Sequence, residues 1–366
     1  MKKENGYVPA TVFSPSDLGK GIADENMWWT KGGYYYYPKF LVTAYDGIKD
    51  PNYRQNMKIS DEVFVMGDSG GFQNISRGAE CSPLKVLEWQ ENNCDVGFTL
   101  DFPISADTSK IVLEKQEKTV ENAFLALDNK HNDNFQLYAV LQGKTRIELE
   151  RIMSMYEEKG GLNKFDGVGI GGIAVGIKAE EMVIRLAEVF DILKDFDMPV
   201  HLFGLSSLNH VPTVEYLKRV YKKEFVTYDS TTYGLGRREY SYFNPFTFKK
   251  ITFEKDRERT HTLNKFPCFC PVCRDYKTID NLPKSATLYG IVLSLHNLYH
   301  MINYTTTCQN LIDDLPLFKA FLKGFNREIS LKSIDYIDLF LKDKEKFRVN
   351  LKRMNESEKS LERFFQ

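Results

Sequence analysis

Three cysteines stand within six positions of the sequence: Cys268, Cys270 and Cys273 in "FPCFCPVCRDY". Three sulfurs cannot all pair with one another, and the spacing C-x-C-x-x-C leaves a tetrahedral zinc one ligand short. Six histidines are available as the fourth donor. His296, in "LSLHNLYHM", lies in a helical pattern 23 residues beyond Cys273, an ordinary distance for a loop to fold back. His300, one helical turn further on the same face, competes with it, and His261 lies just upstream of the cysteines. His296 is the choice. Three thiolates and one imidazole close the coordination shell, which implies a structural zinc ion and not a catalytic one. Cys81, Cys94 and Cys308 read as ordinary buried thiols.

A second group of residues offers different chemistry. Asp68, Asp101, Gln142, Gly171, Gly204 and Asp229 each follow or close an apolar, β-branched run, in "VFVMGDSGG", "VGFTLDFP", "LYAVLQGK", "GVGIGGIAVG", "HLFGLSS" and "FVTYDST". A flat base such as guanine presents N1–H and an exocyclic amine as donors and O6 as an acceptor. Asp101 can receive the donors, while the Gln142 amide and the backbone N–H of Gly172 can serve O6. Phe72 and Phe203, at the same ends of the runs, can sandwich the ring. Two carboxylates, Asp68 and Asp229, then remain for a glycosidic carbon. One can act as nucleophile and the other as general acid/base.

Such residues need a scaffold that brings the ends of many strands together. Between the apolar runs lie "SKIVLEKQEKTVENAFLALDNK", "RIELERIMSMYEEKG" and "AEEMVIRLAEVFDILKD", each with apolar residues spaced three and four apart, which predicts helices. Strand and helix in alternation imply parallel βα units, and uninterrupted apolar runs suit strands covered on both faces. Counting units leaves a doubly wound sheet open. Six chemically complementary residues at strand carboxyl ends favour a (β/α)8 TIM barrel, in which those ends converge on one face. Residues 239–284 break the rhythm and read as an inserted zinc-binding subdomain. The expected division is a barrel core with its catalytic face over 1–240, the zinc subdomain and its helix over 241–305, and a C-terminal helical segment over 306–366. In that last segment an Ile/Leu/Phe stripe is expected to pack on the body.

Of the 366 residues 42% are hydrophobic and 13% aromatic, enough for a large core. A net charge of −1 advertises no nucleic-acid partner, so any such site must be a local patch. Candidates are "YLKRVYKK" (216–223), Arg237 with Arg238, and Lys249 with Lys250, while "WWTKGGYYYYPKF" (28–40) can either stack on bases or pack internally. No leader-like or membrane-spanning run is visible, and a soluble, cytoplasmic protein is expected.

Taken together, "DSGGFQ" (68–73), "GIGGIAVG" (169–176), "YDST" (228–231) and C-x-C-x-x-C followed by "LHNL" (295–298) closely resemble the tRNA-guanine transglycosylases, in the same order. The resemblance implies a (β/α)8 barrel with a zinc subdomain held by Cys268, Cys270, Cys273 and His296. It also implies exchange of guanine through a covalent glycosyl-enzyme, with Asp229 as nucleophile and Asp68 as general acid/base. Asp101, Gln142 and Gly172, beside Gly171, match base-recognition positions, and Phe72 and Phe203 match the stacking clamp. Three departures bear on substrate. Ile177 stands where relatives that take an aminomethyl-deazaguanine usually carry Glu, which favours a neutral 7-cyano-7-deazaguanine. "TTYGLGRREY" replaces a Pro-Thr-Arg element that helps read the anticodon loop, leaving Arg237 and Arg238 for phosphates. Lys144 makes "QGK" of "QGG". These changes resemble the branch that inserts 7-deazaguanine bases into DNA in phages and bacterial modification clusters. DNA is therefore the expected substrate, with tRNA and a non-catalytic partner subunit as alternatives. A homodimer or accessory DNA-modification proteins are expected partners.

Overall fold

The structure, a computed structural model, describes residues 3–18, 26–71, 82–105, 107–173, 179–205, 208–253, 265–325 and 328–343. Eight strands form one sheet: β1 (Gly6–Pro9), β2 (Lys39–Thr43), β3 (Phe64–Asp68), β4 (Val96–Phe98), β5 (Gln136–Gln142), β6 (Gly167–Gly171), β7 (Val200–Leu202) and β8 (Val226–Ser230). All pairings are parallel, each strand from β2 to β8 lies beside its neighbour in sequence, and β1 pairs with β8. The remaining gap is closed by a parallel bridge between Ala10 and Leu41, where the Thr11 N–H donates to the Leu41 carbonyl at 2.8 Å. The sheet is a barrel. Helices Pro83–Asn93, Ser109–Asp128, Arg146–Lys159, Ala179–Ile192 and Val211–Tyr221 return the chain between strands.

Burial explains why the strand runs are apolar throughout. Val8, Leu41, Phe64, Met66, Val96, Phe98, Tyr138 and Val140 fill the barrel interior with Phe203 against them, while the alternate residues join the core beneath the helices. β1 and β2 give no strand signal in the sequence, because β1 is four residues ending in Pro9 and β2 is entered from an aromatic stretch. In that stretch Trp28 and Trp29 are fully buried, donating to the Lys39 and Met57 carbonyls, both at 2.9 Å. These two rings belong to the core and are closed to base stacking.

Beyond β8 the chain makes a short helix, Leu235–Glu239, and an antiparallel hairpin of β9 (Ser241–Phe243) and β10 (Lys250–Thr252). A helix Pro271–Tyr276 follows, and then the long helix Ala286–Leu311. The two helices Leu235–Glu239 and Ala286–Leu311 touch backbone to backbone. A Cβ on Gly236 would lie 2.4 Å from the Ser294 nitrogen, and one on Gly290 would lie 2.9 Å from the Arg237 Cα. The final described helix, Glu328–Lys342, lies on Ala179–Ile192 and Val211–Tyr221, burying Ile334, Ile337 and Phe340. Its stripe therefore faces the body. Among the described residues no helix is long and apolar enough to cross a membrane.

Candidate active site and metal centre

Asp68, Asp101, Gln142, Gly171 and Asp229 all emerge at the carboxyl ends of barrel strands or just beyond them. The segment after β3 shows why serine and two glycines follow Asp68. Ser69 Oγ donates to Asp101 Oδ1 at 2.5 Å and accepts from the Gly71 N–H at 3.2 Å. Gly70 has a φ of +79°, and a Cβ there would lie 2.9 Å from the Tyr45 nitrogen. A Cβ on Gly71 would meet the Asp101 carbonyl at 2.3 Å. A side chain at Gly71 would push this segment away from Asp101, and one at Gly70 would push it away from Tyr45.

Asp101 is buried, and its second oxygen accepts from Gln142 Nε2. A Cβ on Gly171 would stand 2.3 Å from that same nitrogen, so glycine keeps the amide in place. Gln142 Oε1 is buried with no partner, an unused acceptor beside a carboxylate. Gly172 has a φ of +85°, in the left-handed region that glycine tolerates. Burial pushes the Asp101 carboxyl above its ordinary value, opposed by its hydrogen bonds from Ser69 and Gln142.

Asp68 is pushed further, to about 7, by burial first and then by the negative charges of Asp101 and Asp229. A carboxyl that titrates near neutrality can both give and take a proton. The raised value has a signed consequence. Below pH 4 the carboxyl is protonated folded or unfolded and costs nothing. Between about pH 4 and 7 the unfolded chain gives up this proton while the folded protein keeps it, so stability falls across that window and levels off above about 7. Asp68→Asn is expected to raise the melting temperature at pH 8 relative to wild type and not at pH 4, while abolishing exchange. Calorimetry at the two pH values checks this, and equal shifts at both would remove the electrostatic cause.

Asp229, on β8, is buried; its Oδ1 accepts from the Gly204 N–H at 2.7 Å. Gly204 takes a φ of +69°, which turns that N–H toward the carboxylate. His201 Nε2 lies 3.4 Å from the same oxygen. Phe203 stands beside both, its ring 4.7 Å from His201 and 4.6 Å from Phe98.

The cysteine cluster is assembled from three elements. Cys268, Cys270 and Cys273 Sγ lie 3.7, 3.3 and 3.3 Å from His296 Nδ1. A tetrahedral zinc, with Zn–S of about 2.3 Å and Zn–N of about 2.0 Å, sets sulfur–nitrogen edges near ~3.5 Å. The donors fit that ion. His296 Nε2 lies 2.9 Å from the Phe243 carbonyl, which takes the remaining ring proton and leaves Nδ1 for the cluster. Tyr242 stacks on the imidazole at 3.9 Å, and its hydroxyl reaches Cys268 and Cys273. The Cys273 N–H donates to Cys270 Sγ, capping helix Pro271–Tyr276. Hydrogen bonding among the three thiols lowers Cys268 and raises Cys270 and Cys273, so Cys268 is the first of them to give up its proton. His300 lies close as well, grouped with Cys268, Cys270 and His296 within 4.8 Å. The next residue of "LHNL" has its own task. Asn297 accepts from the Phe243 N–H and donates to the Tyr233 and Ser241 carbonyls, tying the hairpin and the segment after Asp229 to the long helix.

Several sequence expectations change here. Arg237 is not free for phosphate: it makes a two-pronged pair with buried Asp17 and donates to the Val12 carbonyl, anchoring the N-terminal segment. Arg238 is exposed. Lys218 is buried against Glu215, and Lys223 bonds the Phe196 carbonyl ahead of β7, at the end of the barrel away from Asp229. Phe72, Ile177 and His261 lie outside the described residues. Ser69 and His201 went unnoticed in the sequence. For His201 a signal exists: a polar residue two before Phe203, on the inward face of a barrel strand.

A closed barrel with three carboxylates and an amide at its carboxyl face, plus a Cys/His knot beside it, defines a class of base- or sugar-processing scaffold. The family model described as queuine tRNA-ribosyltransferase matches residues 42–330, and the chain belongs to that family. A tRNA-guanine(15) transglycosylase of Methanocaldococcus jannaschii is 28% identical over 298 residues, which is 76% of this chain and 43% of that protein. A queuine tRNA-ribosyltransferase of Helicobacter pylori is 25% identical over 281 residues, covering 74% of this chain and 72% of the relative. The chain thus spans less than half the length of that archaeal relative.

Proposed function

We propose that the protein is a guanine transglycosylase that replaces guanine in a nucleic acid by a 7-deazaguanine base through a glycosyl-aspartate intermediate. The observation that carries this reading is the convergence of Asp68, Asp101 and Asp229 at one barrel mouth, seen in the effect of the latter two on Asp68. Asp229 attacks C1′; the C1′–N9 bond breaks, and its electron pair leaves with guanine, which takes the Asp68 proton. The incoming base returns a proton to Asp68 and displaces Asp229. Asp101 receives the base donors, and Gln142, Gly171 and Gly172 shape the edge that meets O6. Phe203 and Phe72 are assigned the stacking clamp. Cys268, Cys270, Cys273 and His296 hold zinc, whose part is structural: it locks the β9–β10 hairpin and helix Ala286–Leu311 beside the mouth. The 1–240, 241–305 and 306–366 divisions are proposed as functional regions.

DNA is the substrate we favour, because the segment after the nucleophile is spent on structure. Tyr233 is buried with its hydroxyl on the Ala10 carbonyl, Gly234 packs on Val12, and Arg237 holds Asp17. Thr231, Arg238 and Glu239 remain outward, and of these Arg238 is the cation suited to backbone phosphates. The target nucleoside would be flipped out of the duplex, which costs a few kcal/mol. A tRNA substrate is the second reading, favoured by the names of the relatives. Labelled guanine and 7-cyano-7-deazaguanine offered with duplex DNA and tRNA side by side decide between them. Incorporation into tRNA alone would reject the DNA reading, and incorporation into neither would reject the proposal.

A further inference from the structure

We propose that His201 is a positioning residue for Asp229: its Nε2–H holds Oδ1, so that Oδ2 is the oxygen presented to the sugar. The inference rests on the assignment of Asp229 as nucleophile above. His201 is fully buried inside the barrel on β7, paired in register with Thr227 of β8, and Asp229 follows Thr227 on the same face. Its Nδ1 lies 2.9 Å from Thr227 Oγ1. Its Nε2 faces Asp229 Oδ1 at 3.4 Å and has no other polar partner. The rings of Phe98 and Phe203, with centroids 5.0 and 4.7 Å from the imidazole, close it off.

The tautomer follows from this enclosure. A lone pair on Nε2 would point at a carboxylate oxygen, which is repulsive on both sides, and no other group donates to Nε2. A proton on Nε2 satisfies both atoms. Thr227 permits this in either charge state of the ring. It donates to a neutral Nδ1, or accepts from Nδ1–H while donating to the Val200 carbonyl, 3.5 Å away. At 3.4 Å the Nε2–Oδ1 contact is longer than a well-formed hydrogen bond, as catalytic contacts often are before substrate arrives.

The Gly204 N–H donates to Oδ1 at 2.7 Å, and His201 Nε2 stands 3.4 Å from the same oxygen, not yet hydrogen-bonded to it but placed to become the second donor. Rotation of the carboxylate about its Cβ–Cγ bond is thereby stopped, and Oδ2 keeps one direction. When the C1′–Oδ2 bond forms, Oδ1 becomes the ester carbonyl oxygen and retains both donors. When the incoming base displaces the ester, the same donors receive the returning carboxylate charge. His201 thus serves both halves of the exchange without itself gaining or losing a proton.

The test uses the whole protein and two readouts. With 15N-labelled histidine, the His201 Nε2 is expected to carry a proton in wild type, and its resonance is expected to shift in Asp229→Ala. An unprotonated Nε2, or no shift, overturns the inference without any nucleic acid present. In single turnover, His201→Phe keeps ring volume and removes the donor. It is expected to slow formation of the covalent adduct about 100-fold, the cost of a misplaced reacting group. Guanine binding should be unchanged, and His201→Gln, which restores an N–H, should recover most of the rate. An adduct formed at the wild-type rate by His201→Phe overturns the inference alone, as does a Gln variant no better than Phe. If wild type forms no adduct with either nucleic acid, the nucleophile assignment falls and this inference falls with it.

Discussion

Asp229→Ala forms no protein–nucleic acid adduct that survives denaturation, and base exchange drops by on the order of 10⁴-fold or more: this is the largest expected effect. The reason is chemical and not structural. Among the described residues the Asp229 side chain accepts from the Gly204 N–H and stands against His201, and water can take its place toward both in the space the smaller side chain leaves. The variant should therefore fold and still bind guanine at Asp101. Denaturing gel electrophoresis of wild type and variant mixed with excess nucleic acid makes the measurement. A stable adduct in Asp229→Ala would hand the nucleophile role to another carboxylate, with Asp68 the first to examine. Loss of both adduct and guanine binding would mean instead that the substitution had collapsed the mouth.

The second large effect lies outside the mouth. Cys270→Ser is expected to lose bound zinc and to destabilise the protein strongly. Structural zinc in small fingers is worth roughly 10–16 kcal/mol of binding free energy, and much of that would be forfeited here. The cost is steep because the cluster is buried: Cys268, Cys270, Cys273 and His296 are each at most 8% exposed. Without an ion, thiols and an imidazole are left to satisfy one another in a space where Tyr242 already covers one side. Metal analysis should find one zinc per chain in wild type and none in the variant, with a lower melting temperature that wild type reproduces under a strong chelator. Wild type purified without metal, at undiminished stability, would end the zinc assignment. A variant that keeps its zinc would point to His300, which lies within reach of Cys268 and Cys270.

Much of this protein is legible residue by residue. The six apolar runs from Val63 to Ser230 locate β3 to β8, because strands covered by helices on one face and barrel interior on the other leave no polar alternation to confuse them. The Cys spacing with His296 one loop away locates the metal centre, since coordination demands few residue types at short range. β1 and β2 were not legible. A four-residue strand carries too little pattern, and it is held by pairing with β8, more than two hundred residues away in sequence. The aromatic run before β2 announced hydrophobicity without saying whether core or ligand would receive it, and the core around the barrel took both tryptophans.

Side-chain chemistry divides along the same line. Residue type and position at a strand's end determined that Asp68, Asp101, Gln142 and Asp229 would meet at one mouth, because barrel geometry sends every strand's carboxyl end to the same face. Tertiary structure alone decided what those groups do to one another. Burial and two neighbouring charges bring Asp68 to about 7, Ser69 and Gln142 donate to Asp101, and His201 stands 3.4 Å from one oxygen of Asp229. It also withdrew Arg237 from the surface, since Asp17 lies across a gap of 220 residues that no local pattern spans. Proton affinity and hydrogen-bond partner depend on distances of a few ångströms between segments remote in sequence. Periodicity and spacing record what each segment can bury; only the closed barrel sets which groups are buried together.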